Sequence, residues 1–331
     1  MERVEHLLSA SSPPAPRRAG IDALYDAFAS SLPPRLEDEA RGLACTLGLA
    51  PSRAVPWSEV FGHEVTLGAP GLVAEAMPAL PPRAVEGAAL AHLLAVIEAF
   101  GTDRIEDGQV EATAALRELL AAVRRERDAA LVRAGDDGSG GGAFAEAERE
   151  TLRAIAAEVS DFKAGARVSF ARYLAVSYGK QRVGLPASLS LGRAAGWEAR
   201  RLAALRGALD GVWLGLQLHD DVVDWPDDFA RAGAWAALLA GVPRPLEGGP
   251  PSPEDRRAVY DSGVLARMLR TSAQYFGASR RRASVLGAHR LASWAAAREE
   301  QVRALSEREA DSPGFTARAQ ALSGWAREVL G

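Results

Sequence analysis

Apolar residues recur along most of this chain at the three- and four-residue spacing that marks one face of a helix. Ile21, Leu24, Tyr25 and Phe28 show it near the N-terminus. The same periodicity predicts helices over residues 21–32, 35–49, 67–77, 84–107, 111–133, 143–182, 185–194, 197–224, 232–239, 253–276, 279–310 and 313–330. No run alternates polar and apolar residues for long enough to support a sheet, so the expected fold class is all-α.

Glycine and proline gather between these segments rather than inside them. The stretches GDDGSGGG (135–142) and GVPRPLEGGPPSP (241–253) read as surface connections, since helices of the same character continue on both sides. A Ser/Pro-rich lead makes residues 1–19 an expected disordered segment and 20–331 a single helical domain.

Composition narrows the function. Lys plus Arg total 39 against 43 Asp plus Glu, a formal charge of −4 that provides no bulk field for nucleic acid, and no nucleic-acid partner is expected. The single cysteine, Cys45, excludes an internal disulfide and a thiolate zinc site. Glu2 and Glu5 stand where a secretory signal carries positive charge, so a cytoplasmic location is expected. The longest uncharged apolar stretches fall short of the ~18 residues of a membrane span, so no transmembrane segment is expected. The chain contains no Asn, and its only lysines are Lys163 and Lys180.

Two acidic clusters end strongly apolar helical segments. In LQLHDDVVDWPDD, beginning at Leu216, helical geometry puts Asp220 and Asp224 on one face a turn apart, with Gln217 beside them and Asp221 about 100° round. Carboxylates in a last helical turn oppose the macrodipole, an arrangement that makes sense chiefly with a bound cation. Asp227 and Asp228 read instead as the start of a following helix. Upstream, Asp103 and Asp107 share a face in GTDRIEDG; alone they fit a pair of surface acids equally well. Two all-oxygen clusters together suit Mg²⁺, which binds through one or two carboxylates plus substrate phosphates. Arg172 and Lys180, two turns apart, supply candidate cationic contacts for an anionic substrate, or are simply surface charges on a packed helix.

The order of these pieces resembles the trans-isoprenyl diphosphate synthase family of class I isoprenoid synthases. YLAVSYGKQRVGLPASLSL, from Tyr173, is similar to its lysine-bearing helix, and GVWLGLQLHDDVVD, from Gly211, to its second aspartate-rich motif. The resemblance implies an all-α bundle around a central apolar cavity, Lys180 as a diphosphate contact, Gln217 as a motif neighbour, and Asp220, Asp221 and Asp224 as Mg²⁺-binding catalytic carboxylates. Asp103-Arg104-Ile105-Glu106-Asp107 stands where the first motif should be, with Arg104 replacing an aspartate. The family's downstream Arg-Arg-Gly is replaced by Gly108-Gln109-Val110, and its upstream Gly-Lys-x-x-Arg-Pro by Gly62-His63-Glu64-Val65-Thr66. In the family these basic residues bind isopentenyl diphosphate.

The expected substrate is therefore an allylic prenyl diphosphate, ionised with Mg²⁺ and finished by cyclisation, elimination or water capture; chain elongation is the runner-up, and a non-catalytic subunit of an active synthase a third reading. The Asn-Ser-Glu metal triad of bacterial cyclases cannot exist in a chain without Asn. Trp213, about 10 Å deeper than Asp220 on the same face, either offers its π face to a carbocation or packs in the core. Ala99 and Phe100, one turn above Asp103, resemble the family's chain-length positions. His219 is expected as a satisfied helix histidine. A homodimer is expected, with Trp294 and Trp325 as core or dimer-packing residues.

Overall fold

The computed structural model describes residues 15–61, 63–106, 108–135, 140–231, 233–242, 249–319 and 321. It is 81% helical, with no strand among the described residues, as the periodicity requires. The helices are α1 (Ala15–Ser30), α2 (Pro34–Arg41), α3 (Leu43–Thr46), α4 (Trp57–Val60), α5 (Glu64–Val73), α6 (Pro82–Glu106), α7 (Ala114–Arg133), α8 (Gly140–Ala164) and α9 (Phe170–Lys180). A 3₁₀ turn (Gln181–Gly184) leads to α10 (Pro186–Ala194), α11 (Ala199–Val223), α12 (Trp225–Arg231), α13 (Trp235–Ala240), α14 (Pro253–Asp261), α15 (Val264–Leu286) and α16 (His289–Asp311).

Helix ends follow local chemistry. Thr113 and Ser169 cap α7 and α9 by accepting from Leu116 N and Arg172 N, each at 3.1 Å. Ser252 and Asp255 form a reciprocal capping box on α14.

Three expectations shift. The segment over 143–182 is two helices, because Gly165 takes φ +61° and Ser169 restarts the chain. The last long helices break at Gly263 (φ +69°) and Gly287 (φ +82°) rather than near residue 277. Gly277 instead lets α15 approach α16, since a Cβ there would lie 2.8 Å from Glu299 Oε1. Helix α1 begins at Ala15, inside the segment expected as disordered; residues 1–14, most of the 313–330 prediction, Trp325 and residues 243–248 lie outside the described residues.

One buried apolar cluster runs from Tyr25 to Leu305. One close seam joins α11 to α15. Gly211 and Gly215, four residues apart, face it: a Cβ at Gly211 would meet Tyr275 O at 2.8 Å and one at Gly215 the Phe276 ring at 2.7 Å. Ser272 seals the seam with a buried 2.6 Å hydrogen bond to Gly215 O. Helix α6 is long and apolar enough by composition to cross a membrane, but 72% of that window is buried among its neighbours, which explains its apolarity as a core helix. Buried Glu98 ties α6 to Arg124 and Arg127 of α7, and Arg127 also reaches Glu148 of α8.

Candidate active site

A cavity of about 460 Å³ lies between α6, α8, the 3₁₀ turn and α11. Asp103 enters it from the end of α6, Asp220 from the end of α11, and Lys180 from the end of α9. Gln217, Trp213, Ala99 and Phe100 also line it. Seven residues singled out from the sequence thus converge on one space, although Asp103 and Asp220 are 117 positions apart in the chain.

The rest distribute differently. Arg172 does not line the cavity; it is exposed and pairs with Asp161 at 2.9 Å, two turns from Lys180 along α9. Asp221 is buried behind the wall, where Tyr173 donates to Oδ2 at 2.6 Å and Gln217 to Oδ1 at 2.8 Å. Gln217 in turn accepts from Gln181 at 2.6 Å, completing a chain from the cavity surface to Tyr173. Asp224 caps the end of α11. Asp107 lies outside the described residues.

Burial, reinforced by the charges of Asp224, Asp221 and Asp228, pushes Asp220 up to about 7. Asp220 nevertheless keeps contact with water through the cavity, which tempers the effect of burial. Asp221 is also pushed up to about 7 by burial, against the hydrogen bond from Tyr173 and the charge of Lys180. Asp228, in the first turn of α12, rises to about 6 through burial and repulsion from Asp224. The sequence assigned it only to the start of a helix, yet its field reaches Asp220.

Two further residues were not singled out. Glu158 of α8 accepts from Lys180 Nζ at 2.7 and 2.9 Å and from Trp235 Nε1 at 2.7 Å. Burial lowers the Lys180 pKa, but Glu158, Asp221 and Asp103 outweigh it and hold the amine above its usual value. Thr151, also on α8, sits under the same turn with Oγ1 3.3 Å from Gly179 O. Helical periodicity places Glu158 on no apolar face, so only its proximity to Lys180 in three dimensions reveals it.

Trp213 is wedged between Gly184, where a Cβ would lie 2.7 Å from the indole, and His92, stacked at 6.0 Å. His92 donates through Nε2 to Thr66 O at 3.0 Å, and burial lowers its pKa to about 4, so it is a neutral support for the indole. His219 departs from expectation: its buried Nε2 has no hydrogen-bond partner among the described residues, and burial with nearby Arg298 lowers it to about 4. Trp294 is buried in the core.

Chemically, the cavity pairs a carboxylate rim with one ammonium and apolar walls. Among the described residues, no three His, Cys, Asp or Glu side chains are gathered tightly enough to cage a metal ion by themselves.

No protein-family model and no curated protein matches the sequence. Solved structures do. Geranylgeranyl pyrophosphate synthase from Lactobacillus brevis matches with a TM-score of 0.61 at 13% identity, over 87% of this chain and 96% of that one. A polyprenyl synthetase from Streptomyces coelicolor matches with a TM-score of 0.61 at 16% identity, over 90% and 98% of the two chains. A polyprenyl synthase from Caulobacter crescentus, complexed with calcium and isoprenyl diphosphate, gives 0.59 at 18%, over 91% and 97%. The fold is that of the polyprenyl synthases. The matches span nearly the whole length of each of those three chains.

Proposed function

We propose that this protein is an enzyme that ionises an allylic prenyl diphosphate between Asp103 and Asp220 and transfers the prenyl group to isopentenyl diphosphate. The observation that carries this reading is the convergence of Asp103, Asp220 and Lys180 on one apolar-walled cavity. The similarity of the fold to prenyl diphosphate synthases supports transfer over the cyclisation, elimination or water capture expected first from the sequence.

The donor set fits Mg²⁺: carboxylate oxygens of Asp103 on one side and of Asp220, Asp224 and Asp228 on the other, whose mutual repulsion Lys180 and Arg231 only partly offset. When bound, the metal supplies Lewis-acid neutralisation of the departing diphosphate. A hard ion of this kind, held through one or two carboxylates plus substrate phosphates, would need no protein cage.

The chain's own residues do the rest. Lys180 donates charge-assisted hydrogen bonds to the diphosphate as the carbon–oxygen bond breaks and its electron pair leaves with oxygen. Trp213, Leu216, Val96 and Ala99 exclude water from the allylic cation. The double bond of isopentenyl diphosphate then supplies the electron pair for the new carbon–carbon bond, and the cation so formed gives up a proton to the released diphosphate, leaving a new double bond. Asp221, through Tyr173, and Gln217, through Gln181, hold α9 and the following turn in register with α11 behind the site.

A second reading, an ending without isopentenyl diphosphate, is favoured by one observation. His63, in the segment where the resemblance implies basic residues, is kept uncharged at the cavity wall: burial and Arg298 lower it to about 3. Incubation with Mg²⁺ and geranyl, farnesyl or geranylgeranyl diphosphate, with and without isopentenyl diphosphate, separates the two. Longer diphosphates are expected; hydrocarbons or alcohols formed without isopentenyl diphosphate would favour the second reading. No release of diphosphate from any substrate would overturn both. The proposal includes pairing of two copies, checked by sedimentation.

A further inference from the structure

Helix α15 carries five arginines and no acidic residue, in a chain whose formal charge is −4. Only Arg280 among them turns to a carboxylate, pairing with Glu299 of α16 at 2.9 Å. Arg267, Arg270, Arg281 and Arg282 are exposed, and none of the four forms an ion pair among the described residues. Arg267 lies over the Phe170 ring at 4.2 Å and Arg282 donates to Gly207 O at 3.2 Å, contacts that leave their charge in place. On a 3.6-residue helix Arg267, Arg281 and Val285 fall within about 40° of one line, with Arg270 and Arg282 about 60° to either side, in a stripe about 27 Å long. Val285 is 86% exposed, an apolar tip at the end of the stripe. Alongside, exposed Arg201 of α11 stacks on Trp197 at 4.1 Å and donates to Leu286 O. Asp210 of α11 and Glu299 of α16, on the flanking helices, are already engaged, the first by Tyr178 and Arg182 and the second by Arg280 and Arg303.

We propose that the arginine stripe of α15 docks this protein on an anionic phospholipid surface. Guanidinium groups bind phosphate oxygens two at a time, and a row of them along one straight helix meets a plane of headgroups over its whole length. Val285 adds an apolar contact at the boundary between headgroups and acyl chains. Other occupants fit less well. The exposed positions of α15 include no aromatic ring on which a nucleic-acid base could stack. A second copy of the chain would set arginine against arginine across a two-fold axis. The surface is also separate from the catalytic groups: Gly211 and Gly215 turn one face of α11 to α15, while Trp213, Gln217 and Asp220 turn the opposite face to the cavity. Docking therefore holds whichever way the reaction ends.

The test is co-sedimentation of the full chain with vesicles of phosphatidylcholine alone or of phosphatidylcholine with phosphatidylglycerol. Binding is expected only to the anionic vesicles, and is expected to weaken as salt is raised. The double variant Arg270→Ala/Arg281→Ala, which removes no hydrogen bond among the described residues, is expected to lose about fivefold in affinity for each arginine removed. Arg270→Lys/Arg281→Lys keeps the charge and is expected to restore most of the binding. Melting curves, and turnover measured without vesicles, are expected to match the wild type in both variants. Equal binding to the two vesicle compositions, or anionic-vesicle binding that survives the alanine variant, would overturn the proposal. Polyglutamate or RNA that holds the wild type as tightly as the anionic vesicles would reassign the stripe to an acidic polymer and overturn the membrane surface as its partner.

Discussion

The phenol of Tyr173 donates a 2.6 Å hydrogen bond to Asp221, joining α9 to α11 behind the cavity wall. Both groups are buried: burial and the Asp221 charge hold the Tyr173 phenol well above its usual range, while the hydrogen bond it donates favours the Asp221 carboxylate against that group's own burial. Tyr173→Phe removes the donor and leaves Asp221 Oδ2 buried without it. We expect a loss of about 1–3 kcal/mol in stability, read from denaturant melts, together with a drop in turnover as Gln217 loses its anchor. Unchanged melts would show that water takes over the bond.

Lys180 depends on Glu158. Burial pulls the amine's pKa down and Glu158 is the largest group holding it up. In Glu158→Gln the amine releases its proton at lower pH, so the alkaline limb of turnover is expected to move to lower pH. Removing one partner of a buried pair also costs on the order of 3 kcal/mol. Lys180→Arg is expected to keep the charge and still lose activity, because a planar guanidinium does not replace a point charge between Glu158 and a phosphate. A pH–rate profile identical to the wild type in Glu158→Gln would refute the dependence.

Metal and diphosphate are expected to stabilise the fold together. Mg²⁺ with inorganic diphosphate should raise the melting temperature with concentration, and a chelator should abolish both that rise and turnover. Asp220→Ala and Asp224→Ala should lose the response and reduce turnover by roughly 10²–10³. Near-normal turnover in both variants would sink the metal assignment.

His92 predicts acid sensitivity. Its folded pKa, lowered by burial to about 4, lies below the unfolded value of 6.5. Between these values the unfolded chain binds the proton and the folded one does not, so the His92 contribution is full above pH 6.5 and is lost as pH falls toward 4. The difference is on the order of 3 kcal/mol. Asp220 and Asp221, raised by burial, act in the opposite sense, so the comparison must be with His92→Gln. That variant should lose less stability than the wild type between pH 7 and pH 4.5 in denaturant titrations.

Much of the site was legible because its residues announce themselves. Asp220, just after the uncharged run from Gly211 to Leu218, and Lys180, one of two lysines in an arginine-rich chain, are local anomalies, and both line the cavity. Glu158 carries no such mark: it sits among other acids on α8, and its role is defined by Lys180 and Trp235, which arrive from other helices. Arg172 fails for the converse reason. Spacing put it on the face of Lys180, and both do reach back toward α8, but Asp161 holds Arg172 at the far end. The break at Gly165 was also written in the sequence, as a glycine followed four residues later by a capping serine, yet the periodicity on both sides masked it.

The pairing of Lys180 with Glu158 also sets the electrical character of the cavity. Among the described residues that line it, Lys180 is the only cation, and it is already committed to a carboxylate. An anion arriving alone therefore meets net repulsion from two helix ends. Such a cavity is expected to discriminate by charge before it discriminates by shape, disfavouring an anion that arrives without counter-ions.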